Sequence, residues 1–500
     1  MFNKVLIANR GEIAVRIARA CRDLDVSTVA VFSDADRRSL HVRMCDEARA
    51  IGPAPSADSY LRADKLLDVA EKVGADAIHP GYGFLAENGT FAQQVEDRGL
   101  TFIGPTPAAM DLMGDKASAR SAAARASVPT VPGTPPLEDV ESALEAADGI
   151  GFPLLVKATA GGGGKGMRRV DAREDLPALF EQARSEANAS FGNPSVFLER
   201  FIERPRHIEF QIIADHHGNV VHLLERECST QRRHQKLIEE APSAFLDDDL
   251  RERMGGAAVS LAKEAGYRNA GTVEFLVDAD RNFYFLEMNA RLQVEHPVTE
   301  LITGVDLVRL QLEIASGAEL PFGQADIAPS GWAMEFRITA EDPFENFTPS
   351  AGRIGCFRPA SGPGIRNDAG VASGSEVTPH YDPLIAKLVV AGDDRAQVLS
   401  RARRAVREYR IDGIATTLPF FTRMLLDERF ISGDVDVSFV DRHWMSEMAG
   451  ASYPRREKLF AAALAAAAVE KERPKRSAGG APAASRWKRI ARQDQIGERF

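Results

Sequence analysis

The first hundred residues alternate short apolar runs with helical spacing. VLIA (5–8), TVAVF (28–32), DAIHP (76–80) and TFIG (101–104) are short apolar runs at strand length. Between them, EIAVRIARACRDL (12–24) and LLDVAEKV (66–73) repeat apolar residues every three to four positions. Apolar strands alternating with amphipathic helices predict a parallel sheet covered by helices. The unit reads as Rossmann-like. Its first strand–helix turn, ANRGE (8–12), lacks the three glycines that bring backbone close to a pyrophosphate, so no dinucleotide site is expected there.

Further on, a helix is predicted over 107–127, followed by the turn-rich VPTVPGTPP (128–136). The runs FPLLVKA (152–158), SVFLERF (195–201), HIEFQII (207–213) and VVHLLER (220–226) read as strands of a second, mixed α/β unit. A helical LRERMGGAAVSLAKEAG (250–266) leads into a hairpin, GTVEFLVDADRNFYFLEMN (271–289). After about residue 330 come the strands WAMEFRI and LIAKLVV and a helix near 394–410. Pattern then fades into EKERPKRSAGGAPAAS (470–485), which has linker composition.

Composition adds limits. The chain has 500 residues, is 44% hydrophobic and 27% charged, and so can fold as roughly three domains. Its net charge of −10 argues against general nucleic-acid binding. That charge is uneven: residues 455–500 carry twelve Lys/Arg against five Asp/Glu, a net of +7, which leaves −17 on residues 1–454. Cys21, Cys45, Cys228 and Cys356 lie too far apart for a disulfide scaffold or a zinc ribbon. The apolar run at the N-terminus is too short for a signal peptide, and no stretch reaches the roughly 18 residues of a membrane span. The expectation is a soluble cytoplasmic protein without a membrane or nucleic-acid partner.

The hairpin carries the sharpest chemistry. Pairing Asp278 with Phe283 sets Leu276 opposite Phe285 and Glu274 opposite Glu287, two carboxylates on one face. A divalent cation would relieve their repulsion, and Asn289 on the same face adds a neutral oxygen. Such an oxygen-only set suits Mg²⁺; the plain alternative is two glutamates facing solvent. The glycine run TAGGGGKGM (159–167) could cover phosphates through its amides or be a flexible loop, and it is not a Walker A motif. Lys157, inside the apolar strand before it, favours a phosphate ligand. Lys116 alone reads as a helix surface residue. Glu199 could accept from an adenine amino group or be a paired strand-end residue. His207, Gln231, His234 and Lys236 form a basic cluster suited to a buried anion. Arg291, Gln293 and Glu295 alternate, which on extended backbone gives a guanidinium and a base on one face, or else an Arg–Glu pair capping the next helix. Tyr82, in HPGYGFLAEN, could form a flat wall for a heterocycle or belong to a plain turn.

Taken together, VLIANRGEIAVRIARA, IHPGYGFLAEN, MGDK, VKATAGGGGKGM, RHIEFQ, QRRHQKLIEEAP and EMNARLQVEHPVTE resemble, in this order, the biotin carboxylases of acyl-CoA carboxylases. The resemblance spans roughly residues 1–445. It implies an α/β protein with a Rossmann-like N-terminal domain (1–112), an ATP-grasp domain (113–330) with a mobile Gly-rich lid near 130–203, a mixed α+β C-terminal domain (331–446), and a basic tail (447–500). It implies ATP contacts at Lys116, Lys157, Gly163, Gly164, Glu199, Arg200, Phe201, Ile202, His207, Gln231, His234, Glu274 and Glu287. Two Mg²⁺ ions, with Mn²⁺ as an alternative, would sit at Glu274, Glu287 and Asn289. Bicarbonate would sit at Lys236, Arg291, Gln293, Val294 and Glu295, and biotin at Tyr82 and Arg337. Glu295, Arg291, Arg337 and Lys236 would carry the catalysis. Ala290 and Lys165 depart from residues frequent in the family, and neither removes a ligand.

The implied activity is ATP- and bicarbonate-dependent carboxylation of biotin through carboxyphosphate. Competing readings are another ATP-grasp carboxylate ligase and a silent regulatory subunit. None of the eleven methionines precedes a lysine, the context in which carriers of the family are biotinylated. Biotin is therefore expected on a separate carrier protein, with a carboxyltransferase as further partner and a homodimer by analogy. The tail reads as a linker, or as a docking helix with Trp487, Ile490 and Ala491 on one side. Deleting 471–500 should leave carboxylation of free biotin intact and weaken co-purification of carrier and transferase; undiminished co-purification would leave the tail a linker.

Overall fold

The computed structural model describes residues 1–159 and 167–444. Gly163, Gly164 and the tail helix suggested above fall outside them.

The N-terminal alternation folds as expected. Strands β1 (Lys4–Ile7), β2 (Ser27–Ser33), β3 (Glu47–Gly52), β4 (Ala77–His79) and β5 (Thr101–Phe102) form a parallel sheet in the order β3-β2-β1-β4-β5. Edge strand β3, sequence EARAIG, is absent from the sequence reading because its apolar content is too low to register as a run. The helix Gly11–Asp23 packs Ile13, Ile17 and Cys21 inward, in contact with Leu310 and Ile314 from a later helix.

The single helix expected over 107–127 is two helices, Pro107–Gly114 and Lys116–Arg125. Asp115 is the break. Its backbone is extended and its carboxylate accepts from the Ser118 amide at 2.8 Å, capping the second helix.

A small antiparallel sheet follows, in the order β7 (Met167–Val170), β6 (Leu154–Ala158), β8 (Val196–Arg200). It packs on the helices Val140–Ile150 and Leu176–Phe191 around a separate core that includes Leu154, Val156, Leu176, Phe180 and Leu198.

The remaining long strands join one antiparallel sheet. Its order is β13 (Phe283–Asn289), β12 (Asn269–Val277), β9 (Arg206–Ala214), β10 (Val220–Arg232), β11 (Gln235–Ala241), β14 (Trp332–Thr339), then Leu384–Gly392 and Ile365–Ala369. The sheet therefore runs across residue 330 without interruption, β11 pairing directly with β14. One apolar cluster joins Leu6, Phe91 and Phe102 to Phe210, Phe275 and Phe285, so the parallel and antiparallel sheets share a core. Phe275 is fully buried, with its ring edge-on to those of Phe210 (6.3 Å) and Phe283 (5.5 Å). Phe275→Ala should cost about 3–5 kcal/mol through the cavity it leaves, read as a lower urea midpoint.

Candidate active site

The β12–β13 hairpin differs from its expected register near the turn. Val277 pairs with Phe283, Leu276 with Tyr284 and Phe275 with Phe285. A bulge then inserts Leu286, and beyond it Glu274 stands opposite Glu287 as expected. The bulge switches faces along β13: Phe285 enters the core, while Glu287 opens to a cleft of about 1120 Å³. Leu286 is 38% exposed and also lines that cleft.

The two glutamates are not equivalent. Glu274 Oε1 accepts from Lys236 Nζ (2.9 Å), Asn289 Nδ2 (2.9 Å) and Gln293 Nε2 (3.1 Å), and His207 Nε2 lies 2.9 Å from Oε2. Burial opposes ionisation of Glu274, but Lys236 and then His207 outweigh it and hold the carboxyl well below its ordinary value. Glu287 has no hydrogen-bond or ion-pair partner among the described residues, and burial together with Glu274 pushes its pKa up. A cation between the pair would relieve that repulsion, so the oxygens of Glu274 and Glu287 fit a hard divalent ion, and Asn289 beside them would add its oxygen once its amide, now donating to Glu274, turns over. His207, Glu209 and Glu274 also approach one another closely enough to ligate a metal, but the Lys236 ammonium already lies among them.

Lys236 is the hub. Its Nζ donates to Glu209 Oε2 (2.5 Å), Glu274 Oε1 (2.9 Å) and Glu295 Oε1 (2.6 Å). Burial works against its charge, but the three carboxylates hold its pKa well above the ordinary value. The fully buried Arg226 secures the far oxygen of Glu209 at 2.5 Å. Arg337 closes the network, donating from Nη2 to Glu295 Oε2 (2.8 Å) and from Nε to Glu239 Oε1 (2.5 Å). Burial raises Glu295, but Lys236, Arg337 and Arg226 bring it well below the ordinary range. Glu239 is pushed up to about 7, burial outweighing Arg337.

The segment after β13 is not extended throughout, as the alternation of Arg291, Gln293 and Glu295 assumed. It turns, and Glu295 sits just before the helix His296–Thr303, buried and making no cap bond. Arg291 faces the cleft. It donates to Glu87 Oε2 (2.9 Å), Gln293 Oε1 (2.8 Å) and Asn289 Oδ1 (2.7 Å), so no Arg291–Glu295 capping pair forms.

On the other wall, Lys157 pairs with Glu199, whose second oxygen takes Arg120 Nη1 at 2.6 Å. Glu199 thus takes the paired form and still lines the cleft, with Arg200, Phe201 and Ile202. His234 stands exposed at the β10–β11 turn with φ 65, and Gln231 lies beside His207 at 3.3 Å. Tyr82, Val294 and Arg337 also line the cleft. Lys116 is the exception: it begins the helix Lys116–Arg125, exposed and outside the lining. Sequence reasoning does not reach Arg226, Glu87 and Arg120. Each acts through a partner distant in sequence, and no local spacing reports it.

Three family matches divide the same chain. Residues 1–110 match the biotin carboxylase N-terminal domain, 115–322 the ATP-binding domain of the carbamoyl-phosphate synthase L chain, and 335–442 the biotin carboxylase C-terminal domain. A biotin carboxylase of Nostoc sp. is 53% identical over 440 residues, covering 88% of this chain and 98% of that one. The chain belongs to the biotin carboxylase family. Its ligase architecture of N-terminal, ATP-grasp and C-terminal parts is that of the family. The propionyl-CoA carboxylase alpha chain of Ruegeria pomeroyi is 47% identical over 488 residues, 93% of this chain and 72% of that one. The biotin carboxylase domain dimer of Hydrogenobacter thermophilus 2-oxoglutarate carboxylase, solved with MgADP, ADP and bicarbonate, superposes with a TM-score of 0.84. It is 48% identical, and the match covers 90% of this chain and all of that one.

In this family member the Lys236 hub gives a stability test. Lys236→Met leaves Glu209, Glu274 and Glu295 buried without their shared cation, a loss of about 3–5 kcal/mol. The wild-type chain holds Glu274 and Glu295 below their unfolded values, so their contribution persists above pH 4.5 and fades on acidification. In the variant Glu274 keeps only His207, and Glu295 only Arg337 and Arg226, as charged partners to oppose burial, so less of that stabilisation is present above pH 4.5. The variant's deficit in thermal midpoint, measured against wild type at each pH, should therefore be larger at pH 7 than at pH 4.

Proposed function

We propose that this chain carboxylates biotin with ATP and bicarbonate, as the first half-reaction of a biotin-dependent carboxylase of the acyl-CoA type. The observation that carries the reading is the single ammonium of Lys236, shared between Glu274 on the hairpin and Glu295 beside Arg337. It couples a nucleotide and metal side to an anion and acceptor side.

ATP would lie between the hairpin and the wall of Lys157, Glu199–Ile202, His207, Gln231 and His234, with Lys116, Gly163 and Gly164 as further contacts by family resemblance. Divalent cations at Glu274, Glu287 and Asn289 would neutralise the phosphate oxygens. Bicarbonate would bind at Arg291, Gln293, Val294 and Lys236. As it arrives, its charge draws on the field of Arg291 and Lys236 and raises the proton affinity of Glu295, which then serves as base. The deprotonated oxygen attacks the γ-phosphorus and ADP leaves. Carboxyphosphate breaks down to CO₂ and phosphate, and the phosphate takes the ureido proton of biotin. The ureido nitrogen attacks CO₂ while Arg337 stabilises the charge on the ureido oxygen and Tyr82 borders the ring.

The same reading places biotin on a separate carrier protein, with a carboxyltransferase as second partner, a homodimeric assembly and a cytoplasmic site of action. Among the described residues, no helix is long and apolar enough to cross a membrane. Glu295→Gln should lower bicarbonate-dependent ADP release at least about 100-fold while ATP affinity stays near wild type. Wild-type turnover in that variant, or ADP release driven by a different acid, would overturn the assignment.

A further inference from the structure

Lys387 plays no part in the steps above. It lies on the strand Leu384–Gly392, directly across from Arg337, and its side chain is fully buried. A lysine in such a position bears a large desolvation cost and needs partners. They come from separate stretches of chain. Its Nζ donates to the Val294 carbonyl at 2.8 Å. Glu12 Oε1, from the first helix, lies 3.2 Å from the same Nζ. That Glu12 oxygen also accepts a hydrogen bond from the Tyr82 hydroxyl.

The other acids nearby do not reach its Nζ. Asp368 stands opposite Lys387 in register but is paired with Arg366 at 2.8 Å. Glu335 is buried with neither carboxylate oxygen bonded. Among the described residues Glu12 is thus the carboxylate within ion-pair reach of Lys387, and Glu12, Tyr82 and Val294 all line the cleft. As a stabilising device a buried Lys–Glu pair gains little over packed apolar side chains. Its distinctive property is that one ammonium fixes two cleft-lining groups at once.

We propose that Lys387 is a positioning residue for the carboxylation step. Through Glu12 it sets the Tyr82 hydroxyl, and through the Val294 carbonyl it sets the anion-binding segment, so the acceptor wall and the bicarbonate seat keep one spacing. The inference rests on the function proposed above.

The test is steady-state kinetics of the full chain with free biotin, MgATP and bicarbonate. Lys387→Met should raise KM for biotin and for bicarbonate about tenfold or more, with KM for ATP within about twofold of wild type. Tyr82→Phe should raise KM for biotin alone. The double variant should show no more than the larger single effect on biotin KM, because both changes act through Glu12. A double variant whose effect equals the product of the two, or a Lys387→Met chain that loses kcat with every KM unchanged, would overturn the proposal. Should Lys387→Met fail to fold, the near-isosteric Glu12→Gln should raise biotin KM in the same way. An active wild type with unchanged biotin KM in Glu12→Gln defeats this inference alone; a wild type inactive on biotin defeats the functional reading and this inference with it.

Discussion

Everything near the cleft depends on keeping one ammonium ion dry among three carboxylates. Lys236 touches Glu209, Glu274 and Glu295 within 2.9 Å while nearly removed from water. Moving any of these ions out of solvent costs several kcal/mol, and only close, well-directed contacts offset it. The arrangement therefore cannot be loose. Each carboxylate needs a second anchor, supplied by Arg226 for Glu209, His207 for Glu274 and Arg337 for Glu295.

The fold meets that demand by continuity of one sheet. Glu209, Lys236, Glu274 and Arg337 stand on β9, β11, β12 and β14, all members of the eight-stranded sheet. Backbone pairing fixes their spacing before any side chain is considered. Glu295 is the one member supplied by a turn, and the Lys387 bond to the Val294 carbonyl ties that turn to the same sheet. Strands from the last third of the chain are thus structural members of the site.

Much of this is legible in the sequence, for physical reasons. Parallel strands buried on both faces announce themselves as apolar runs, and four of the five can be read that way; β3 escapes because its residues other than Ile51 are small or charged. The opposed glutamates are legible because a hairpin fixes which residues face each other. The route to that pairing is not, since a bulge changes no residue type and leaves no compositional trace. Asp115 ends a helix that periodicity alone would continue, although Asp before Lys-Ala-Ser is a recognisable cap. Lys157 and Glu199 each stand out in the sequence, but their mutual pairing joins two strands nearly forty residues apart. The roles of Arg226 and Glu87 exist only in three dimensions.

The extra residue at Leu286 acts as a frameshift in the geometric sense. Ahead of it, odd-numbered positions on β13 are core positions, held by Phe283 and Phe285. Past it, odd-numbered positions belong to the cleft, held by Glu287 and Asn289. One strand therefore obeys two opposite binary patterns, and the count of residues between Phe285 and Glu287 decides which pattern governs. Side-chain identity alone does not define this site. Its reading frame does: on a regular strand Phe285 and Glu287, two positions apart, would share one face, and the bulge at Leu286 sends the acid to the cleft instead of the core.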